Sequence, residues 1–193
     1  MRIEIAHHEA DAEYIRHARL ETLRSLNVEP DPSLIEPIAV ATYLIAYDDE
    51  TEQPVGMAEV AMLGDIYESF DDAPYASLCD LNAYCCINRM AGMRTVYVEP
   101  EYRHKSVFLA LTIGAAKLLY SKGALYSTAT TRASDQHLNR LYEKCGGERL
   151  GAVSLGHKDP TSLFVFDLAK TASHRTLKRL TSYVALPTDL TRV

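Results

Sequence analysis

The sequence predicts an α/β (α+β) fold: a mixed, mostly antiparallel sheet with a central parallel strand pair, flanked by helices. Three patterns lead there. A helical period opens the chain, a hairpin pattern follows over residues 39–63, and residues 93–131 read strand, helix, strand, the make-up of a parallel crossover. With 193 residues, 47% of them hydrophobic, the chain suits a single domain with a substantial core.

Each element has its own cause. Over residues 9–26, Ala12, Ile15, Ala18 or Arg19, Thr22 and Leu23, and Leu26 recur at helical spacing between charges. Residues 27–37 hold three prolines and read as a loop. Residues 39–47 are β-branched and aromatic, residues 48–52 form an acidic turn, and residues 55–63 return as a second strand. The carboxylates of that turn are read as a solvated hairpin tip, not a metal site. Residues 64–91 mix Tyr67, Phe70, Tyr75, Leu78, Leu81, Tyr84 and Ile87 with acids. The spacing of Leu78, Leu81 and Cys85 suggests a short helix. Two readings of this insert stand: a lid over a lipid-like substrate, or plain cover for a sheet. Residues 93–98 form a strand ended by Glu99-Pro100, because proline cannot continue a ladder. Residues 106–122 form a helix stopped by Gly123, residues 124–131 a strand, and Ser134 or Asp135 caps a helix that runs to Lys144 and stops at Gly146. Val153 and Leu155, then residues 163–168, read as a closing hairpin. A last helix is expected over residues 171–183.

Charge and cysteine usage exclude several functions. A net charge of -6 and a pI near 5.6 argue against a general nucleic-acid binder. No apolar run has signal-peptide or bilayer-spanning length, so a soluble, cytoplasmic protein is expected. Cys79, Cys85, Cys86 and Cys145 show no C-x-x-C spacing, so no zinc or other metal site is expected. Adjacent Cys85 and Cys86 fit either a redox pair or two small buried residues.

The chemistry concentrates in two segments. The first runs Val98-Glu99-Pro100-Glu101-Tyr102-Arg103 into Ser106-Val107-Phe108. A helix that starts directly after a strand offers free N–H groups and the positive end of its dipole to a phosphate. The amides of residues 104–108 are the candidates here, with Arg103 and Lys105 adding charge. The second segment is Leu141-Tyr142-Glu143-Lys144-Cys145-Gly146-Gly147, which places a phenol one turn before a glycine stop.

Together the two segments resemble the acyl-thioester site of the GNAT N-acyltransferases. That family carries Arg or Gln, two residues, Gly, one residue, then Gly or Ala after a Val-x-Pro-x-Tyr strand end. It later carries Asn-x-x-Ala-x-x-Leu-Tyr-Glu-Lys-x-Gly-Phe. Asp135 stands for the Asn, Leu138 for the Ala and Gly147 for the Phe. The resemblance implies a donor site formed by the main chain at Tyr97 and Val98, by Arg103, His104, Lys105, Ser106, Val107 and Phe108, and by Asp135. It implies strands that splay apart, so that an N–H polarises the thioester carbonyl. It implies Tyr142 as proton donor to the leaving thiolate, with Glu59 and Glu99 as the candidate bases.

Ser106 and Phe108 stand where the family has small residues. A phenylalanine there is expected to crowd the pyrophosphate of coenzyme A, whereas acyl-phosphopantetheine on an acyl carrier protein needs less room. The departure resembles the autoinducer-synthase-like branch with its N-acyl amino acid synthases, and Arg94, Arg103, His104 and Lys105 would form a dock for an acidic carrier. The favoured expectation is transfer of a long acyl chain from acyl carrier protein to a small-molecule amine such as an amino acid. The alternatives are an acetyl-CoA-dependent N-acetyltransferase of a small amine or protein terminus, and a GNAT-like binding module without turnover.

Overall fold

The computed structural model describes residues 1–6, 8–69, 84, 86–103, 106–153 and 160–173. In chain order the elements are β1 (Arg2–Ile5), α1 (His8–Ser25), α2 (Pro32–Ile35), β2 (Thr42–Tyr47), β3 (Pro54–Met62), β4 (Met90–Val98), α3 (Val107–Ser121), β5 (Tyr126–Arg132), α4 (Gln136–Lys144), β6 (Gly147–Val153), β7 (Thr161–Asp167) and α5 (Leu168–Ser173). The seven strands form one sheet in the order β1-β2-β3-β4-β5-β7-β6. Every neighbouring pair is antiparallel except β4 and β5, which are parallel. The mixed sheet and its central parallel pair are therefore as the sequence predicts.

The side-chain alternation of strands divides the core into two faces. On one, Ile15 and Ala18 of α1 pack against Tyr43, Ile45, Met57, Ala61 and Tyr97. On the other, Val107, Ala110, Leu111 and Ile113 of α3 pack against Leu44, Ala58, Val60 and Val98. Gly56 lets α3 come close: a Cβ there would meet Val107 at 3.0 Å and Leu111 at 3.1 Å. Helix α3 ends as its sequence requires. Gly123 takes φ 89°, its N–H bonds the Tyr120 carbonyl, and the Ala124 N–H bonds the Leu119 carbonyl. These are the two hydrogen bonds of a Schellman stop.

Asp135 caps α4, its carboxylate accepting the Leu138 N–H at 2.9 Å. Asp135→Ala removes that acceptor, and unfolding in urea should show a loss of about 1 kcal/mol.

The structure departs from the sequence expectations at its edges. Strand β1 is an unforeseen four-residue edge strand. Its alternation places Ile3 in the core, but four residues carry too short a signal. The proline-rich loop contains α2, a single turn started by Asp31, which accepts the Ser33 N–H, and by Pro32. Strand β6 begins at Gly147, before the expected Val153, because an edge strand tolerates glycines and charges that a central one would not. Helix α5 starts at Leu168 instead of residue 171, and its expected continuation past residue 173 lies outside the described residues. The expected lid falls largely outside them as well. At its margins stand single 3-10 turns at Leu63–Asp65 and Ile87–Arg89. No described helix is long and apolar enough to cross a membrane.

Candidate active site

Strands β4 and β5 pair for only four residues, from Met90 with Tyr126 to Met93 with Ala129. Beyond Met93 the edge of β4 that faces β5 has no strand partner among the described residues, as the expected splay requires. The open groups follow from the ladder on the other side. Glu99 donates its N–H to the Val55 carbonyl on β3. Alternation then turns the N–H of Tyr97 to β3 as well, and those of Val96 and Val98 to the gap. The Val98 carbonyl is already engaged by Arg103 Nε at 3.1 Å. Val98, not Tyr97, therefore offers a main-chain donor to the gap.

Helix α3 starts at the end of this gap. Its N-cap, Ser106, is left-handed at φ 60°, ψ 13° and makes no side-chain capping bond. The family's glycine would reach this conformation without strain, which a serine cannot. Ser106→Gly should raise stability by roughly 0.5 kcal/mol, the relief of φ strain less the added chain entropy, seen as a higher urea midpoint. With no side-chain cap, the first-turn N–H groups at Val107, Phe108 and Leu109 keep their capacity to bind an anion. His104 and Lys105 lie outside the described residues.

Phe108, the second residue of α3, is partly buried. Its ring packs on the core and stacks on Tyr142, with centroids 5.8 Å apart and planes at 28°. These contacts argue against the expected crowding of a pyrophosphate pocket. Phe164 and Phe166 meet Tyr142 edge-on at 5.3 and 5.5 Å. Register then locates the phenol. Phe164 pairs with Ala129, and Ala129 with Met93, the last pair before the strands part. Tyr142 thus lies over the rows where the gap opens. It is only 3% exposed, and burial, helped by Cys145 and Asp135, pushes its phenol above the ordinary tyrosine range. Burial likewise pushes the neighbouring Cys145 thiol up to about 11, which removes it as a nucleophile. The missing family phenylalanine is explained nearby. A Cβ on Gly147 would lie 2.7 Å from the Phe166 ring, which fills that space from β7.

The two candidate bases are separated. Glu59 is 1% exposed on the α1 face and pairs in register with Thr95. Arg19 Nη1 lies 2.5 Å from its Oε2, and Arg94 Nε 3.2 Å from its Oε1. Glu99 accepts the Tyr97 hydroxyl at 2.8 Å, with His17 Nε2 3.3 Å from its other oxygen. It stands five residues past Arg94, about 16 Å along an extended strand. Arg94, expected beside Arg103 in a basic dock, is instead drawn onto Glu59.

Sequence reasoning also missed Asn139. It is 5% exposed and donates to the carbonyls of Arg132, Ala133 and Asp135, fixing the turn from β5 into α4. Its place within the Asp135–Tyr142 segment was the available signal. Among the described residues no group of three His, Cys, Asp or Glu could hold a metal ion.

The family model of the "Acetyltransferase (GNAT) family" matches residues 12–147, more than half of the chain and both segments of the site. The chain belongs to the GNAT acetyltransferase family. No curated protein matches it. Among solved structures it is similar to an N-acetyltransferase from Staphylococcus aureus Mu50, at TM-score 0.63 and 17% identity over 86% of this chain and 97% of that one. A mutant spermidine N-acetyltransferase from Vibrio cholerae gives TM-score 0.62 and 14% identity over 91% and 99%. The ribosomal-protein-S18-alanine N-acetyltransferase from Escherichia coli gives 0.56 and 12% over 86% and 92%. At these identities the likeness concerns the fold.

Proposed function

We propose that this GNAT chain is an N-acyltransferase that moves an acyl group from a pantetheine thioester to the amine of a small molecule. One observation carries the reading: strand β4 leaves β5 after Met93, between the uncapped start of α3 and the buried phenol of Tyr142. The donor's phosphate is held by the amides of Val107 to Leu109 and by Arg103. Its pantetheine arm lies along the gap, bonded by the Val98 N–H. The neutral amine attacks the thioester carbonyl, the carbon–nitrogen bond forms, and the carbon–sulfur bond breaks. Tyr142 donates a hydrogen bond to the sulfur as it leaves. The ammonium proton passes to water in the gap, since Glu59 is engaged by two guanidiniums and Glu99 stands further along β4.

The inward packing of Phe108 favours coenzyme A as the carrier of the acyl group over acyl carrier protein. Thermal shift with acetyl-CoA, a long-chain acyl-CoA and an acylated carrier protein tests this. Stabilisation by a coenzyme A ester is expected. Stabilisation by the carrier protein alone would restore the long-chain carrier reading, and no shift with any thioester would remove the enzyme reading.

A further inference from the structure

Arg94 occupies a place that the acyl-transfer reading leaves unused. Glu59 pairs with Thr95 and the next residue, Val60, pairs with Met93, so Arg94 is the extra residue of a β-bulge. Bulges bend a strand and re-aim a side chain. This one comes directly after Met93, the last residue of β4 that pairs with β5. Arg94 therefore stands where the gap opens, next to the rows that carry Tyr142 on the opposite face.

Its guanidinium is drawn to Glu59 on its Nε side, as an ion pair and not as an aligned hydrogen bond. Nε lies 3.2 Å from Glu59 Oε1, in a carboxylate that is 1% exposed. Glu59 is fixed in turn by Arg19, whose Nε donates to the Leu34 carbonyl at 2.9 Å. The Arg94 side chain is about a third exposed, and its two terminal nitrogens have no acceptor among the described residues. Among the described residues two guanidiniums face this one carboxylate, which leaves an excess of positive charge. A guanidinium held at Nε still presents Nη1 and Nη2 as a fork that matches a carboxylate.

We propose that Arg94 determines acceptor specificity: the fork formed by its two terminal nitrogens takes the carboxylate of an amine acceptor whose amino group lies a bond or two away, as in an α-amino acid. The inference rests on the acyl-transfer reading for the identity of the ligand as an acceptor. The spacing suits it. The carboxylate sits at the first open residue of β4, and the adjacent amine reaches the gap beside the thioester. A bare amine would leave the positive charge unanswered. An acceptor with a distant carboxylate would draw its nitrogen away from the reacting bond.

Two measurements test this with the full chain, using glycine, L-leucine, L-phenylalanine and L-glutamate, each beside its carboxamide. Thiol release is followed with whichever donor ester stabilises the protein. Binding of the same pairs to the donor-free protein is followed by calorimetry. For at least one pair the acid should be favoured over its amide by roughly 10- to 100-fold, as a charge-assisted bidentate contact implies. Arg94→Gln should abolish that preference through KM, with kcat nearly unchanged. Arg94→Lys, which keeps the charge against Glu59 and so protects the fold, should retain only part of it. Equal handling of every acid and its amide by the unaltered protein would overturn the proposal, as would a preference that survives Arg94→Gln. Absent thiol release with intact, Arg94-dependent binding of the acids would instead sink the acyl-transfer reading and leave the anion site standing.

Discussion

Replacing Tyr142 by phenylalanine should lower kcat about 100-fold while leaving donor binding and stability almost unchanged. The ring is held by stacking on Phe108 and by edge contacts with Phe164 and Phe166, all of which a phenylalanine reproduces. Burial and the charges of Cys145 and Asp135 act on the hydroxyl, and no hydrogen bond to it is found among the described residues. Its removal therefore breaks no internal contact and should be close to neutral for folding. What it does remove is a donor placed over the row where the strands part. Because burial raises the phenol above its usual range, Tyr142 stays protonated at working pH and offers a hydrogen bond without losing its proton. The alkaline limb of the rate profile should accordingly not report on Tyr142. Steady-state kinetics beside a thermal melt decide the matter: unchanged turnover with an unchanged melt takes Tyr142 out of the mechanism. Tyr142→Ala is the less informative variant, since losing three aromatic partners should cost about 3–5 kcal/mol and blur folding with chemistry.

The sequence made the centre of this fold legible because its signals there are local. Gly123 and Gly146 mark helix ends that need positive φ, and Pro100 marks a strand end. The parallel pairing of β4 and β5 followed from a helix of the right length between two strands, the second of them small and β-branched. The two site segments were identified separately, and their meeting, Phe108 on Tyr142, is a tertiary fact that neither segment contains. What could not be read has a common physical character. A bulge at Arg94 exists only relative to β3, so nothing in the run Met93-Arg94-Thr95 announces it. Arg19 shares the helical stripe with Ala18, but its partner Glu59 lies 40 residues further on, beyond the reach of any local pattern. Glu59 likewise passes for an exposed strand residue until its partners are known. Edge strands β1 and β6 pack on one side only, so their sequences are short or polar and carry little pattern.

Glu59→Ala should destabilise the fold by about 3–5 kcal/mol, the usual cost of removing one partner from a buried ion pair. Arg19 is 8% exposed, and its Nη1 relies on the Glu59 carboxylate. With the carboxylate gone, a buried guanidinium is left with the Leu34 carbonyl and a distant Tyr43 hydroxyl at 3.5 Å. Against a typical stability of about 5–15 kcal/mol, the loss would place the variant near its folding limit. Glu59→Gln should fall between, because an amide keeps the shape and one acceptor but not the charge. The double variant Arg19→Met with Glu59→Leu removes both charges together and should recover most of the loss, since well-packed apolar residues of similar volume often replace a buried pair at little cost. Urea unfolding of the two single variants and the double one measures the coupling directly. Independent, additive losses would mean that Arg19 and Glu59 do not depend on each other, and the anchoring of Arg94 through Glu59 would lose its foundation. A catalytic base would leave a different signature: Glu59→Gln would then depress turnover steeply with the unfolding midpoint unmoved, and the proton assigned to water in the gap would belong to Glu59.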